Sequence, residues 1–200
     1  MITDWSRSDV AESYETYDPI RERTLAHPVM FEQLRLAEPG VRTVLDYGCG
    51  TGQMAMRMVH EHGMSVIAAD PSPGMLKVAE ERRLHPKISY QMIGDDGCVD
   101  VSENSVDAAI SCFLYVWIPE VERIRRILAE IHRTLRPGAR YAMLELNPDG
   151  PAPMMISDSR WPKDVQHGFL RSAGFGNIRC YEPTDAPGTN PPYLIYVAEK

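Results

Sequence analysis

Residues 44–52 read Val-Leu-Asp-Tyr-Gly-Cys-Gly-Thr-Gly, a carboxylate followed by glycines at every second position. Gly48, Gly50 and Gly52 let a backbone turn sharply and lie against a ligand, because no Cβ stands in the way. A dinucleotide fingerprint places its glycines at positions one, three and six, whereas here the sixth position is Gln53, which disfavours NAD and an oxidoreductase. Asp46, two residues ahead of the first glycine, would repel a pyrophosphate and attract an amino group or a sulfonium. Asp70 follows Gly48 by 22 positions, near the spacing at which an acid closing the next strand accepts both ribose hydroxyls of an adenosine. The chemistry suggested is recognition of a nucleoside that carries positive charge.

Such a loop needs a strand before it and a helix after it. Val44 and Leu45 supply a buried strand, and Gln53 to His62 can form the helix. Further strands are expected at Ser65–Ala69, Ile88–Ile93, Ala108–Ile110, Tyr141–Leu146, Ile178–Tyr181 and Tyr193–Ala198. Ser72 followed by Pro73 reads as a helix cap and first helical residue. Val121, Ile124, Ile127, Leu128, Ile131 and Leu135 recur at three- and four-residue steps and predict a helix with one apolar face, stopped by Pro137-Gly138. A last helix is expected from Pro162 to Ala173, with Gly174 as its stop. Alternating strands and helices imply an α/β chain with helices on both faces of its sheet. Ahead of the first strand, helices over Thr3–Arg23 and Pro28–Ala37 read as a lid.

At 200 residues with 44% hydrophobic content, the chain suits one domain with a substantial core. Its expected parts are a helical lid (1–40), a cofactor-binding core (41–146) and a loop, helix and hairpin (147–200). The formal charge of −7 argues against nucleic acid or an anionic membrane as partner. Cys49, Cys98, Cys112 and Cys180 form no Cys-x-x-Cys pair, so neither zinc nor a disulfide framework is suggested, and reduced thiols fit a cytoplasmic protein. No charged-then-apolar leader and no long apolar run is seen.

Taken together, these motifs resemble those of the class I S-adenosylmethionine-dependent methyltransferases of small-molecule type. The glycine loop matches the family's first motif, Asp70-Pro-Ser-Pro-Gly-Met75-Leu its Asp-x-Ser-x-x-Met-Leu, and Leu135-Arg-Pro-Gly-Ala the turn before its fifth strand. Asp107 stands where the family has Phe-Asp, and Ala173-Gly-Phe matches the family's Ala-Gly-Phe. The resemblance implies a Rossmann-like seven-stranded sheet of order 3-2-1-4-5-7-6 with strand seven antiparallel. It implies S-adenosylmethionine as cofactor and S-adenosylhomocysteine as product.

Carried onto this chain, the cofactor would be held by Tyr14, Tyr17, Asp46, Gly48, Cys49, Gly50, Gly52, Asp70, Pro71, Met75, Asp95, Asp96 and Ser111. Asp70 would take the ribose and Asp95 the adenine amine, while Tyr14 or Tyr17 closes over the top. Phe113, Tyr115 and Trp117 lie where relatives place residues beside the transferable methyl, and an aromatic wall there would hold a planar or cationic acceptor. Relatives often carry a His near the position of Trp117; this chain does not. Ser111, Tyr115 and Glu145 are the remaining catalytic candidates, with Glu145 and His167 also as acceptor contacts and His27 as a second histidine in reach. No metal is expected. The expected activity is methyl transfer to an O, N or C atom of a small molecule in natural-product or cofactor metabolism, by a monomer or homodimer. The alternative is a protein of the same fold that binds the cofactor without transferring its methyl, as a binding module, cyclase or isomerase.

Overall fold

A computed structural model of the chain describes residues 7–16, 22–151, 160–184 and 188–200. Seven strands form one sheet in the order β3-β2-β1-β4-β5-β7-β6. These are β1 (Thr43–Tyr47), β2 (Ser65–Asp70), β3 (Ile88–Met92), β4 (Val106–Cys112), β5 (Leu135–Leu146), β6 (Gly176–Tyr181) and β7 (Tyr193–Glu199). The first five run parallel, and β7 pairs antiparallel with both β5 and β6. The expected order and the reversed last strand are both present.

Each central strand is buried on both faces, and its alternating side chains feed two cores. Val44, Ile110, Ala142 and Ile195 face one core with helices α2 (His27–Gln33) and α3 (Gln53–His62). Leu45, Ala109, Tyr141 and Tyr196 face the other, against α5 (Val121–Thr134) and α6 (Lys163–Ser172). The apolar stripe of α5, Ile124, Ile127, Leu128 and Ile131, is buried there as its spacing predicts. Helix α4 (Pro73–Arg82) begins at Ser72, whose side chain accepts a hydrogen bond from the Met75 N–H. It carries α1 (Ser8–Glu15) on its outer side, where Ala11 packs on Met75 and Val78.

Because β1 has β2 on one side and β4 on the other, chain order reverses at β1, and a crevice opens beyond the carboxyl ends of these two strands. The glycine loop sits at that crevice.

Three boundaries differ from the sequence reading. The helix expected from Pro28 ends at Gln33, and Arg35 turns to a φ of 59°. It is preceded by a wide π turn, Glu22–Ala26, that the sequence did not suggest. Finally, β5 starts at Leu135, which pairs with Val106 before the ladder shifts register and resumes at Arg140. Here pairing with β4 extends a strand through residues that read locally as a turn. Tyr17 lies outside the described residues.

Candidate active site

The glycine loop is tied to β2 before any ligand is considered. Gly48 and Cys49 both donate their N–H groups to the Ala69 carbonyl, at 2.8 and 3.0 Å. Gly48 and Gly52 adopt φ of +83° and +80°. A Cβ on Gly52 would stand 2.6 Å from the Tyr90 hydroxyl, and one on Gly48 would stand 3.1 Å from Leu114 Cδ1. Glycine is therefore required twice over, by backbone conformation and by space.

Asp70 closes β2 beneath this loop. Its Oδ2 accepts from the Gly50 N–H and its Oδ1 from the Ser72 N–H, both at 2.8 Å. Burial pushes its pKa up to about 6, opposed by those two donors. Asp46, on the face of β1 shared with Val44, is 1% exposed, and its Oδ2 has no hydrogen-bond partner. Desolvation, with the charge of Asp70 added, raises Asp46 to about 7. A buried carboxylate oxygen without a donor is costly. An ammonium or sulfonium group would remove the cost, so the residues present fit S-adenosylmethionine.

Tyr14 of α1 lies beside the glycine loop. Its ring carbon Cε1 lies 3.9 Å from the point where a Gly50 Cβ would be. Although 38% of the residue remains accessible, its phenol is pushed up to about 12, by desolvation first and then by the charges of Cys112, Glu22, Asp70 and Asp46. Its ring thus lies beside the Gly50 turn of the loop.

A recess beside the loop is lined by apolar side chains, Tyr47, Pro71, Ile93, Leu114, Ile118 and Ile127, and by the charged Asp95, Asp96, Arg123 and Arg126. The exposed Asp95 stands at this mixed recess, beside the apolar side chains of Ile93, Leu114 and Ile118. Asp96 is used differently: its Oδ1 accepts from the Cys98 N–H at 3.0 Å, which holds its carboxyl below the usual range. Met75 packs under α1 rather than into the crevice, and Cys49 is buried, its thiol directed at the Gly50 carbonyl at 3.6 Å. Both shape the pocket from behind.

The catalytic candidates require correction. Ser111 and Tyr115 lie on the opposite side of the sheet from Asp46, where the Ser111 and Tyr115 hydroxyls meet that of Tyr141 at 2.6 and 2.9 Å. Ser111 is fully buried and Tyr115 2% exposed. Alternation along β4 is the reason: Asp46 shares its face with Ile110 and Cys112, and Ser111 points the other way. Glu145 is also buried and accepts from the N–H groups of Tyr115 at 2.9 Å and Val116 at 3.2 Å. It organises the short helical turn Tyr115–Trp117, and burial raises its pKa to about 8. The aromatic wall is divided accordingly. Phe113 and Trp117 pack on the crevice side, while Tyr115 joins the other core.

Neither histidine is brought to the crevice. His167 rides on α6 behind the sheet. His27 is buried at the start of α2, where its Nδ1 is 2.6 Å from Arg57 Nη1, and desolvation with that guanidinium pushes its pKa down to about 3.

Two groups at the crevice escaped the sequence reading. Glu22, 4% exposed in the π turn, accepts from the Tyr193 hydroxyl at 2.8 Å across 171 positions of chain. Arg83 joins Glu15 of α1 to the Thr51 carbonyl in the glycine loop. No local pattern marks either, since each partner is distant in sequence.

Residues 44–138 match the family model described as a methyltransferase domain. Among curated proteins, the chain is 31% identical over 153 residues to N-demethylindolmycin N-methyltransferase of Streptomyces griseus, covering 74% of this chain and 65% of that one. It is 35% identical over 102 residues to malonyl-[acyl-carrier protein] O-methyltransferase of Serratia marcescens, covering 51% of this chain and 37% of that protein. The chain thus spans less than two thirds of the length of these relatives. In structure it is similar to a SAM-dependent methyltransferase from Aquifex aeolicus, with a TM-score of 0.74 at 18% identity, covering 96% of this chain and 97% of the other. It is also similar to phosphoethanolamine N-methyltransferase 2 of Haemonchus contortus bound to phosphomonomethylethanolamine and S-adenosylhomocysteine, with a TM-score of 0.65 at 17% identity over 87% of this chain and 52% of that one. With the sheet order, the matched motifs and these relatives, residues 44–138 carry the methyltransferase domain of the class I S-adenosylmethionine-dependent type.

Proposed function

We propose that this chain transfers a methyl group from S-adenosylmethionine to a small-molecule acceptor, in natural-product or cofactor metabolism. The observation that carries this reading is the Asp46 carboxylate: buried, short of a donor, and next to a loop that requires glycine at Gly48 and Gly52. Bound, the cofactor supplies an electrophilic methyl group on a sulfonium sulfur.

The chain's own residues have the tasks of binding, orienting and excluding water. Asp46 would accept from the cofactor's cationic amino-acid end and Asp70 from its ribose hydroxyls. The recess between Leu114 and Asp95 would take adenine. Tyr14 would close the crevice, and alignment in a dry site accounts for most of what an activated donor needs. The hydroxyls of Ser111 and Tyr115 are engaged behind the sheet, so proton removal does not fall to them. That favours an acceptor which reacts without a strong base, as a neutral amine does.

The relatives are named for an N-methyltransferase and an O-methyltransferase, so the acceptor half of the site sets the accepting atom. The free thiols of Cys49, Cys98, Cys112 and Cys180 agree with a reducing cytoplasm. Among the described residues no helix is long and apolar enough to cross a membrane. The test is calorimetric titration with S-adenosylmethionine and S-adenosylhomocysteine, followed by detection of S-adenosylhomocysteine after incubation with fractionated small-molecule extract. Absence of binding by both would overturn the reading.

A further inference from the structure

Tyr47 is the last residue of β1 and stands next to Gly48, the first glycine of the loop. One step along the strand from Asp46, its side chain joins the opposite core and is 2% exposed. A phenol buried so deeply needs a hydrogen-bond partner. Here the hydroxyl donates to the Gly97 carbonyl at 2.7 Å, across 50 positions of chain. Gly97 closes the turn 94–97 that follows β3, its N–H donating to the Gly94 carbonyl at 2.9 Å. It adopts a φ of +80°, and a Cβ there would lie 3.5 Å from the Tyr47 hydroxyl, so the turn seats directly on the phenol.

That turn is fastened on either side. Ahead of it the Ile93 N–H donates to the Asp70 carbonyl at 3.1 Å, which ties it to β2, and at its far end Tyr47 ties it to β1. Asp95 stands between the two fastenings, exposed, with no hydrogen bond or ion pair to its carboxylate among the described residues. Tyr47, Asp95 and Gly97 line one recess, together with Pro71, which follows Asp70, and Leu114, which lies against Gly48. A single hydroxyl therefore links the strand that opens the glycine loop to the turn that carries the free carboxylate of the recess.

We infer that Tyr47 is a positioning residue for base recognition: its hydroxyl holds the turn 94–97 against the end of β1, so that Asp95 accepts from the exocyclic amine of the cofactor's adenine. The inference rests on the methyltransferase reading, in which this recess takes the base, and names what sets its geometry. A hydrogen bond to a carboxylate is strong only over a narrow range of distance and angle. An exposed turn released at one end lets its carboxylate leave that range. Tyr47 touches neither the amine nor the transferred methyl group and acts through Asp95.

The experiment titrates the full chain calorimetrically with S-adenosylhomocysteine and with S-inosylhomocysteine, which has a carbonyl oxygen in place of the exocyclic amine. The wild type is expected to prefer the adenine ligand by about tenfold or more, because a carboxylate accepts from an amine and repels an oxygen. Tyr47→Phe keeps the ring in the core and removes only the hydroxyl; thermal melting checks its fold. It should lower the preference at least about threefold through weaker binding of the adenine ligand, with affinity for the inosine ligand changed by less than about twofold. A tyrosine that only stabilised the fold would weaken both ligands alike and leave the preference intact. Asp95→Ala, at an exposed position, should remove the preference, and adding Tyr47→Phe to it should change the preference no further.

An undiminished preference in Tyr47→Phe would overturn the inference, as would an undiminished preference in Asp95→Ala or a further fall in the double variant. The Asp95→Ala result decides the recognition step however the Tyr47 variant folds. Equal binding of the two ligands by the wild type would overturn the inference alone. A failure of S-adenosylhomocysteine to bind would sink the methyltransferase reading and the inference with it.

Discussion

Arg83 grips Glu15 through both terminal nitrogens, Nη1 to Oε2 at 3.0 Å and Nη2 to Oε1 at 2.5 Å, and the same Nη1 donates to the Thr51 carbonyl at 3.0 Å. One guanidinium thus ties α1 to the glycine loop, and Glu15 is the residue after Tyr14, whose ring lies beside that loop. The two side chains are only 18% and 10% exposed, so solvent and salt screen the pair less than an ordinary surface bridge. A second pair, Arg82 with Glu12, repeats the link one turn earlier in α1.

The latch makes a direct prediction for cofactor retention. Arg83→Ala should release α1 and weaken S-adenosylhomocysteine binding about fivefold, close to 1 kcal/mol, mainly through a faster off-rate. Stopped-flow displacement measures it. An unchanged off-rate would show that α1 does not gate the crevice.

Asp46 should trade stability for binding. Its carboxylate is desolvated without a donor, so Asp46→Asn is expected to stabilise the ligand-free protein by about 1 kcal/mol, a rise of roughly 2–4 °C in Tm. The same change should lower affinity for the cationic cofactor about tenfold or more. Differential scanning fluorimetry with and without ligand reads both. Loss of stability in the ligand-free variant would mean that Asp46 has a structural partner.

The pH dependence follows from burial of carboxylates. Asp46 and Glu145 have folded pKa values of about 7 and about 8, above their ordinary 3.8 and 4.5. In both cases burial raises the value, so the folded state binds protons more readily than the unfolded one across that window. Unfolding free energy from these groups therefore falls as pH rises from about 4 to about 8. The ligand-free protein should melt higher near pH 5.5 than near pH 8. Cofactor affinity should move oppositely, rising through about pH 7 as Asp46 ionises, with proton release visible by calorimetry in buffers of different ionisation enthalpy.

Glu145 is predicted to act as a positioning residue. Glu145→Ala removes the acceptor for two buried N–H groups and should cost about 2 kcal/mol or more. The pH profile of kcat in the folded variant should keep its wild-type shape, whereas a general base would lose its acidic limb. Glu145→Gln, which retains one acceptor oxygen, should recover part of the lost stability.

Gly52 tests the cradle. Gly52→Ala forces a Cβ into positive φ and within 2.6 Å of the Tyr90 hydroxyl, which itself donates to the Arg83 carbonyl at 3.1 Å. We expect a loss of about 2 kcal/mol and weakened cofactor binding. Adding Tyr90→Phe should restore some stability but leave the backbone strain. Wild-type behaviour of the single variant in melting and titration would count against the cradle.

Much of the fold was legible because its signals are local. The strand, glycine loop and helix at Val44–His62, the Ser72-Pro73 cap and the α5 stripe each lie within a few residues of chain. Asp70 at the end of β2 and Asp95 in the turn after β3 lie along one edge because strand ends in an open parallel sheet share it. The misplaced residues, Ser111, Tyr115 and Glu145, fail for one reason. A one-residue step along a strand reverses the side-chain direction, and linear order along Ser111–Trp117 does not say which face each residue joins.

What the sequence determined by itself was the family's cofactor cradle, since positive-φ glycines, a capped helix and acids at strand ends are properties of short segments. Only the tertiary structure decided how the elements ahead of β1 are fastened to the rest of the chain. Glu22 with Tyr193, and Arg83 with Glu15, are pairs brought together by sheet order and helix packing across 171 and 68 positions of chain. Contacts of that range arise when separate elements bury their apolar faces together, so no local spacing announces them.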